Sequence, residues 1–233
     1  MDKEEFINAI KDLSINIDEK QLSQLNEYYN MLIEYNKHTN LTRITEEKEV
    51  YLKHFYDSLT ICKVINLNSQ SLLDIGTGAG FPGLVLKILF PNLKVTLVDS
   101  LNKRIIFLNQ VINKLGLKEI RALHKRAEEY AKDNKEKFDI VTSRAVANLN
   151  ILSELCIPYV KIGGYFIPMK ADAKEEINSS INAIKTLGCV LEKTLIFNLP
   201  KEKSIRTLIM IKKEASTNSK YPRKYNEIKK KPL

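Results

Sequence analysis

One short segment of the chain combines an apolar run, a carboxylate and closely spaced glycines. Residues 72–83 read LLDIGTGAGFPG, and the glycines at 78, 80 and 83 form the pattern G-x-G-x-x-G. This pattern is typical of a β-strand followed by a tight turn and a helix N-terminus, where glycines let the backbone approach a bound ligand closely. The segment therefore predicts the first strand-turn-helix unit of an α/β fold.

Asp74 indicates which nucleotide-type ligand the turn would bind. A carboxylate at the end of the strand would face the crevice and repel the pyrophosphate of a dinucleotide. S-adenosylmethionine instead carries a cationic sulfonium and ammonium, which a carboxylate attracts. We therefore expect Asp74 to attract the methionine end of this cofactor, with Gly76, Gly78 and Gly80 beside it. The same carboxylate disfavours a nicotinamide-dependent oxidoreductase.

A second acidic residue follows the glycines at a spacing that suits a ribose. Asp99 ends the apolar run 94–98, which predicts the second strand, about 20 residues after the glycines. A carboxylate at this position can accept hydrogen bonds from both ribose hydroxyls. Asp99 and Ser100 also form an N-cap signal for a helix that opens near Leu101. Both roles can hold together.

The composition is that of a protein with a full core. The chain has 233 residues, of which 44% are hydrophobic, enough for one large domain or one domain with an appendage. No apolar run approaches the roughly 18 residues of a membrane span, and the charged N-terminus does not resemble a signal peptide. We expect a cytoplasmic protein without a membrane partner. The three scattered cysteines, Cys62, Cys156 and Cys189, predict reduced core residues and no metal site.

Hydrophobic periodicity divides the chain into three predicted parts. Residues 1–65 show helical periodicity without strand signals, and they predict an N-terminal helical extension. Its third helix is expected over 46–65, with Thr45 as N-cap. Residues 66–212 alternate strand and helix patterns and predict the cofactor-binding domain. Residues 213–233 form a basic C-terminal tail.

The middle part predicts a mostly parallel sheet with helices on both faces. Seven strands are expected: the first is the apolar run from Leu72 that ends at Asp74, and the others are at 94–98, 120–124, 138–142, 164–169, 190–198 and 206–211. The last two follow one another after a short turn at 200–204, so they should pair antiparallel. A terminal antiparallel hairpin is typical of seven-stranded methyltransferases.

Most of the positive charge lies in the tail. From residue 212 onward eight basic residues stand against two acidic ones, so +6 of the net charge of +9 is located there. Tyr221 and Tyr225 are interleaved with the basic residues and can stack on bases, which indicates contact with a nucleic acid. The alternative is a solvated lysine-rich terminus without a ligand. We expect this tail to act on RNA and to leave cofactor affinity nearly unchanged.

Further candidate residues follow the third and fourth strands, because ligands of such sheets bind outside the carboxyl ends of the strands. Ala127 and Glu128 are expected beside the adenine, although Glu128 equally suits an exposed helix carboxylate. Arg144 would hold the cofactor's carboxylate or a substrate phosphate at the mouth of the crevice. A surface salt bridge is the alternative for Arg144.

These segments together resemble the RsmG (GidB) family, bacterial enzymes that methylate guanine N7 in 16S ribosomal RNA. The resemblance runs nearly end to end and rests on residues 35–42, 54–59, 74–83, 126–128, 143–147, 221–224 and 231–233. Two places depart from the family pattern: Tyr35 replaces a common tryptophan, and residues 225–227 replace a usual glycine and proline.

The resemblance implies a Rossmann-like class I methyltransferase fold, with a seven-stranded sheet ending in an antiparallel hairpin and an N-terminal helical extension. It implies S-adenosylmethionine as cofactor, contacted by Gly76, Phe81, Ala127, Glu128 and Arg144. The implied partner is 16S ribosomal RNA, within the 30S subunit or an assembly intermediate, and the protein is expected to be a monomer. A small-molecule methyltransferase and a non-catalytic RNA-binding protein remain alternatives.

Guanine N7 has a free lone pair and no proton, so methylation there requires neither a general base nor a protein nucleophile. Alignment of the reacting atoms would supply most of the catalysis, up to roughly 7–11 kcal/mol. No catalytic side chain is identified, and Arg144, Arg223 and Lys224 are the candidates on the substrate side. An arginine that touches the target guanine must use O6 or a phosphate, since N7 stays open to the methyl group.

Overall fold

The structure is a computed structural model that describes residues 1–144, 146–202 and 204–233. Two residues from the predicted segments lie outside the described part: Ala145, which follows the fourth strand, and Lys203, in the turn before the last strand. Seven strands are formed, with the bounds β1 Ser71–Ile75, β2 Lys94–Asp99, β3 Ile120–His124, β4 Phe138–Arg144, β5 Val160–Lys170, β6 Cys189–Asn198 and β7 Ile205–Lys213.

These strands form one sheet in the order β3-β2-β1-β4-β5-β7-β6. The pairs among β1 to β5 are parallel, whereas β7 is antiparallel to both of its neighbours, β5 and β6. The predicted class I architecture with a terminal antiparallel hairpin is therefore confirmed. The switch in strand order lies between β1 and β4, where the carboxyl ends of the strands open a crevice.

Both faces of the central strands β1, β2 and β4 are buried. Neighbouring residues of a strand point to opposite faces, and they belong to two different apolar clusters: Leu72 and Leu97 to the first, Leu73 and Val98 to the second. The helices that follow the strands cover these faces: α5 Gly83–Leu89, α6 Asn102–Lys114, α7 Ala127–Tyr130, α8 Leu149–Cys156 and α9 Lys174–Thr186. Burial on both sides explains why the central strands are almost continuously apolar.

The N-terminal residues form helices that complete the first cluster. Here α1 spans Lys3–Lys11 and α2 spans Glu19–Thr39, and each begins with a capping box, at Asp2 and Asp18. Phe6 and Leu25 are fully buried in the same cluster as the apolar side chains of α5 and α6. The N-terminal helices are thus part of the core that supports residues 76–82, the turn between β1 and α5, which we call the glycine turn.

The third predicted helix differs from the expectation. The segment begins as α3 Glu47–Val50, passes through a π-helical turn at Tyr51–Tyr56, continues as α4 Asp57–Leu59 and ends in a 3₁₀ turn at Thr60–Lys63. Its N-cap is Glu46 and not Thr45, because the Glu46 carboxylate accepts hydrogen bonds from the backbone N–H groups of Lys48 and Glu49.

The basic tail packs on the second cluster. It carries a short helix, α10 Tyr225–Lys230, and both Tyr221 and Ile228 are buried. The Arg223 guanidinium binds the carboxylate of Glu154 on α8, with Nε 2.8 Å from Oε1, and Glu154 is fully buried. The Arg223 backbone N–H donates to the same oxygen at 2.9 Å.

No helix in the described part of the chain has both the length and the apolarity that crossing a bilayer requires.

Candidate functional site

Asp74 holds the glycine turn in place through hydrogen bonds. This carboxylate is fully buried, and its Oδ2 accepts hydrogen bonds from Thr77 Oγ1 at 2.7 Å and from the Gly83 N–H at 2.9 Å. Gly83 has no room for a side chain, since a Cβ there would lie 2.4 Å from Leu97 Cδ2 and 2.9 Å from Asp74 Oδ2. The close approach of α5 to β1 therefore depends on this glycine and this carboxylate together.

Burial raises the pKa of Asp74 to about 6, although the hydrogen bonds from Thr77 and Gly83 oppose the shift. Its Oδ1 is buried and has no hydrogen-bond donor within the described residues. The carboxylate does not line any of the cavities described below. Asp74 thus lies beneath the turn, where its charge acts on the crevice through a poorly solvated medium.

Tyr28 of α2 also holds the turn, and the sequence pattern missed it. Tyr28 is fully buried and donates its hydroxyl to the Ala79 carbonyl, whereas its neighbour Tyr29 is only half-buried. Gly80 has φ +110°, and a Cβ there would lie 2.7 Å from this hydroxyl. The contact links residues 51 positions apart, which a local periodicity cannot report.

Asp99 lies at the edge of the crevice with its carboxylate already bound. Oδ2 accepts from the Gly78 N–H at 2.9 Å and from Arg104 at 3.0 Å, and Oδ1 accepts from the Leu101 N–H at 2.9 Å. Asp99 therefore ties the glycine turn to the start of α6. The hydrogen bond from the Leu101 N–H to Asp99 Oδ1 resembles the predicted N-cap. It differs from one because Leu101 directly precedes α6, whereas an N-cap accepts from the first turn of the helix.

The crevice contains two adjoining cavities. The glycine-turn cavity has a volume of about 370 Å³, and its lining includes the predicted residues Gly76, Gly78, Phe81, Asp99 and Arg144. The β3 cavity has a volume of about 240 Å³, and its lining includes the predicted residues Gly76, Asp99, Ala127 and Glu128. Gly80 lines neither cavity and instead packs against Tyr28.

Val146 lines both cavities, as Gly76 and Asp99 do. Its Cγ2 would lie 2.4 Å from a Cβ at Gly76, so the side chain lies directly on the glycine turn. Ala127, at the far end of the β3 cavity, is held by the Tyr159 hydroxyl, which donates to its carbonyl. Seven of the nine predicted cofactor residues therefore line the two adjoining cavities: six over β1, β2 and β3, and Arg144 from β4.

Arg144 connects the sheet to the N-terminal helices. Its Nη1 donates to the Lys53 carbonyl at 3.0 Å and to Asp57 Oδ2 at 3.1 Å, and its Nη2 lies 3.1 Å from His54 Nδ1. The guanidinium carbon is 5.2 Å from the centroid of the Phe81 ring. Arg144 is thus a partly buried residue of the crevice wall, and its ion pair with Asp57 is an internal one.

His54 is a neutral member of the same wall. Its ring stacks on Phe81 with centroids 4.2 Å apart, and burial, with the nearby Arg144 charge, lowers its pKa to about 3. A guanidinium only donates hydrogen bonds, so Nδ1 must be the acceptor and Nε2 carries the hydrogen. Nε2 lies 2.9 Å from Thr42 Oγ1, which therefore accepts that hydrogen.

A third cavity, of about 460 Å³, lies on the other side of this wall. His54 and Arg144 line both this cavity and the glycine-turn cavity. Its remaining charged lining consists of three cations and three carboxylates: Lys53, Lys170, Arg206, Asp57, Asp172 and Glu176. We call it the wall cavity.

Arg223 and Lys224 lie apart from Arg144. They line a groove of about 690 Å³ between α7 and the tail, together with Arg126, Lys132 and Lys135. Because the Arg223 guanidinium binds Glu154, the exposed cations of this groove are Arg126, Lys132 and Lys224. We call it the tail groove. The structure therefore does not bring the three candidate substrate-side residues together.

The sheet order, the terminal hairpin and a crevice between a glycine turn and a strand-end carboxylate define a Rossmann-like class I methyltransferase. Among solved structures, a SAM-dependent methyltransferase from Aquifex aeolicus has a TM-score of 0.53 and 16% identity, covering 74% of this chain and 97% of that one. The M. jannaschii protein TYW2, in complex with AdoMet, has a TM-score of 0.54 and 13% identity, covering 64% and 71%.

A family model described as GidB, rRNA small subunit methyltransferase G, matches residues 21–205, and the chain belongs to this family. Proteins named ribosomal RNA small subunit methyltransferase G are similar over the whole chain. That of Lachnoclostridium phytofermentans is 51% identical and covers 100% of this chain and 98% of its own. That of Bacillus subtilis is 48% identical and covers 100% and 99%. The predicted family is therefore confirmed.

Proposed function

We propose that this protein transfers the methyl group of S-adenosylmethionine to N7 of a guanosine in 16S ribosomal RNA, within the 30S subunit or an assembly intermediate. One observation carries the proposal: the two cavities of the crevice adjoin a separate cavity with a charged lining, and Arg144 and His54 border the glycine-turn cavity and this third cavity alike. A ligand in either cavity would therefore contact the same two side chains. We further propose a monomer that acts in the cytoplasm.

The residues of the crevice fit the cofactor. Asp74 is a buried carboxylate whose Oδ1 has no donor among the described residues, and it suits a cationic ligand. A Cβ at Gly78 would meet open space, so the backbone borders the cavity without an intervening side chain. Gly76, Phe81 and Arg144 would hold the methionine end. Asp99 would hold the ribose, and Ala127 and Glu128 the adenine.

The cofactor supplies the methyl group, and this chain supplies alignment. We assign the target guanosine to the wall cavity, where Lys53, Lys170 and Arg206 can donate to O6 and phosphate oxygens. Each of these cations is paired with a carboxylate in the structure, so a bound guanosine would share or replace those pairs. Attack through the N7 lone pair moves no proton, so no base is required. His54 is unsuited as a base, because Nδ1 already accepts from Arg144 and Nε2 carries the hydrogen. Arg144 cannot lose its proton either.

The groups that act on the substrate are therefore donors and positioning contacts. Arg144 is held by Asp57, which is itself shared with Arg206 at 3.1 Å. This arrangement keeps the guanidinium at the boundary of both cavities before either ligand binds. Preorganised donors of this kind lower a barrier because they need not reorient during the reaction.

The test is incubation of the purified protein with methyl-labelled S-adenosylmethionine and 30S subunits that lack the modification, followed by nuclease digestion and nucleoside analysis. We expect label in 7-methylguanosine, and we expect Arg144→Ala to lose most of it. Lys20→Ala, at an exposed residue of α2, is the matched control and should label normally. Label in another nucleoside, or none with any ribosomal RNA while the cofactor binds, would refute the proposal.

The main competitor is a methyltransferase with a small-molecule acceptor. The tail groove argues against it, because a small acceptor has no use for exposed cations along a groove outside the crevice. Nucleic-acid binding, in contrast, depends on such cations and is strongly weakened by salt.

A further inference from the structure

Part of the lining of the β3 cavity comes from the C-terminal tail. Most of its lining follows from the strand ends: Asp99 and Ser100 after β2, and residues 125–128 after β3. Two lining residues come from elsewhere: Leu155 of α8 and Tyr225, the first residue of α10 in the tail. A residue expected to act on RNA therefore borders the cavity assigned to the adenosine end of the cofactor.

Tyr225 is held in place by its neighbours in the tail. Two residues earlier, Arg223 binds Glu154 through both its side chain and its backbone N–H, and Glu154 is fully buried on α8. Three residues later, Ile228 is also fully buried. Tyr225 thus lies between two anchors, and its ring is partly buried against the second apolar cluster, which also includes Leu155 and Ala127. Leu155 and Ala127 line the β3 cavity as well.

The lysines of α10 and the residue after it lie away from the contact between Tyr225 and the β3 cavity. Lys229, Lys230 and Lys231 are exposed, and none of them lines the β3 cavity. An aromatic ring next to a cavity for a purine is a favourable contact, because every base offers a π-face or an edge to such a ring. The charged positions remain available to RNA while the ring faces the crevice.

We propose that the C-terminal segment completes the cofactor site, with the Tyr225 ring as a contact for the adenine. This inference rests on the proposed function, since it takes the crevice to bind S-adenosylmethionine. It changes the role expected for the tail: the segment after β7 contributes to cofactor affinity as well as to RNA binding.

The test is calorimetric titration of the full-length protein with S-adenosylhomocysteine, which shares the adenosine end, in the absence of RNA. Loss of one aromatic contact to a base corresponds to a weakening on the order of 10-fold. We expect this loss for Tyr225→Ala and for Tyr225→Leu, which keeps apolar packing but removes the ring. Tyr225→Phe should bind within about twofold of the unmodified protein, because the ring remains.

Lys229→Ala, in the same helix, is the matched control and should leave affinity for S-adenosylhomocysteine unchanged. Thermal unfolding of each ligand-free variant shows whether the tail still packs, and Tyr225→Leu carries the test if Tyr225→Ala unfolds. Unchanged affinity in Tyr225→Leu would overturn the proposal, as would a loss of 16S RNA binding with no loss of S-adenosylhomocysteine binding. If the unmodified protein binds no S-adenosylhomocysteine, both the proposed function and this inference fail. If the unmodified protein binds it and Tyr225→Leu binds it equally well, only this inference fails.

Discussion

Asp74 is the residue whose charge state should set cofactor affinity. Its buried carboxyl has a pKa of about 6, so it is ionised at pH 8 and mostly protonated at pH 5. Affinity for the cationic S-adenosylmethionine should therefore fall several-fold from pH 8 to pH 5, because the neutral carboxyl no longer attracts the cation. Asp74→Asn should bind weakly at both pH values and lose this dependence. Titration calorimetry at the two pH values measures the effect.

Asp12→Asn is the control for that experiment, since Asp12 is an exposed carboxylate at the end of α1. It should keep both the affinity and its pH dependence. A variant Asp74→Asn that still loses affinity between pH 8 and pH 5 would show that another group is responsible.

His54 should make the fold sensitive to acid. Its folded pKa is about 3 against 6.5 for the unfolded chain, so between these values the unfolded state binds more protons. Stability is therefore complete above pH 6.5 and is lost as the pH falls through this window, at up to about 1.4 kcal/mol per pH unit. His54→Asn, which keeps an acceptor for Arg144, should lose about 2 kcal/mol less than the unmodified protein between pH 7 and pH 5. Urea unfolding at both pH values tests this.

The exposed His38 provides the comparison for His54. His38→Asn should follow the unmodified protein at both pH values. Equal acid sensitivity in the His54 and His38 variants would contradict the assignment of a neutral, buried imidazole.

Single residues show what the sequence could and could not predict. The glycines and Arg144 follow strands that local patterns predict, and strand ends meet at one edge of a parallel sheet. Tyr28 and His54 reach the site through contacts with Ala79 and Arg144, 51 and 90 positions away, and no local period encodes such pairs. Tyr225 gave a signal as an aromatic residue in a basic tail, but its contact with the β3 cavity depends on how the tail folds back.

At the scale of elements, the π-helical turn at Tyr51–Tyr56 connects the N-terminal helices to the crevice at the strand ends. It presents His54 to Phe81, and it precedes Asp57, which binds arginines from β4 and β7. Insertions of this kind in helices occur frequently at functional sites. The sequence predicts one continuous helix here because its apolar spacing is helical throughout, and a π turn alters the hydrogen bonding without altering that spacing much.

Asp57 should carry a large part of the stability of this junction. Its side chain is 6% exposed, and each of its oxygens binds one arginine at 3.1 Å. Removing one member of a buried ion pair leaves uncompensated charge and typically costs about 3–5 kcal/mol. Asp57→Asn should therefore lower the free energy of unfolding by about 3 kcal/mol or more, as measured by urea denaturation at pH 7.

Glu49→Gln is the matched control, because Glu49 pairs with Lys53 in the same region but is nearly half exposed. Exposed pairs contribute about 0–1 kcal/mol, so this variant should unfold close to the unmodified protein. A similar small loss for both variants would mean that the junction is solvated and that Arg144 is not held by Asp57.

At the scale of the whole molecule, the fold was predictable almost strand by strand, whereas the path of the tail was not. Short apolar runs that alternate with helical patterns along the chain predict the strands. The short turn before Ile205 predicts the antiparallel hairpin. The tail reads as a charged terminus because its composition is dominated by lysine. Its packing against α8 depends on distant partners that composition does not encode, such as Glu154, which lies 69 positions from Arg223.

The charge of the whole molecule leads to the last prediction, which separates RNA binding from cofactor binding. If about six phosphates are contacted, the logarithm of RNA affinity should fall with the logarithm of salt concentration with a slope of roughly −4 to −5. Lys132→Ala combined with Lys224→Ala removes two exposed cations of the tail groove and should make that slope shallower by about 1.4–1.8. Filter binding of 16S RNA at several salt concentrations measures it.

Lys11→Ala combined with Lys20→Ala removes the same charge from exposed positions outside the groove and should affect RNA binding less. Both double variants should bind S-adenosylhomocysteine like the unmodified protein, because none of the four lysines lines the crevice. Equal loss of slope in the two variants would mean that net charge, and not the groove, attracts the RNA. A slope near zero in the unmodified protein would favour a small acceptor, because only a polyanion releases bound counterions when the protein binds it.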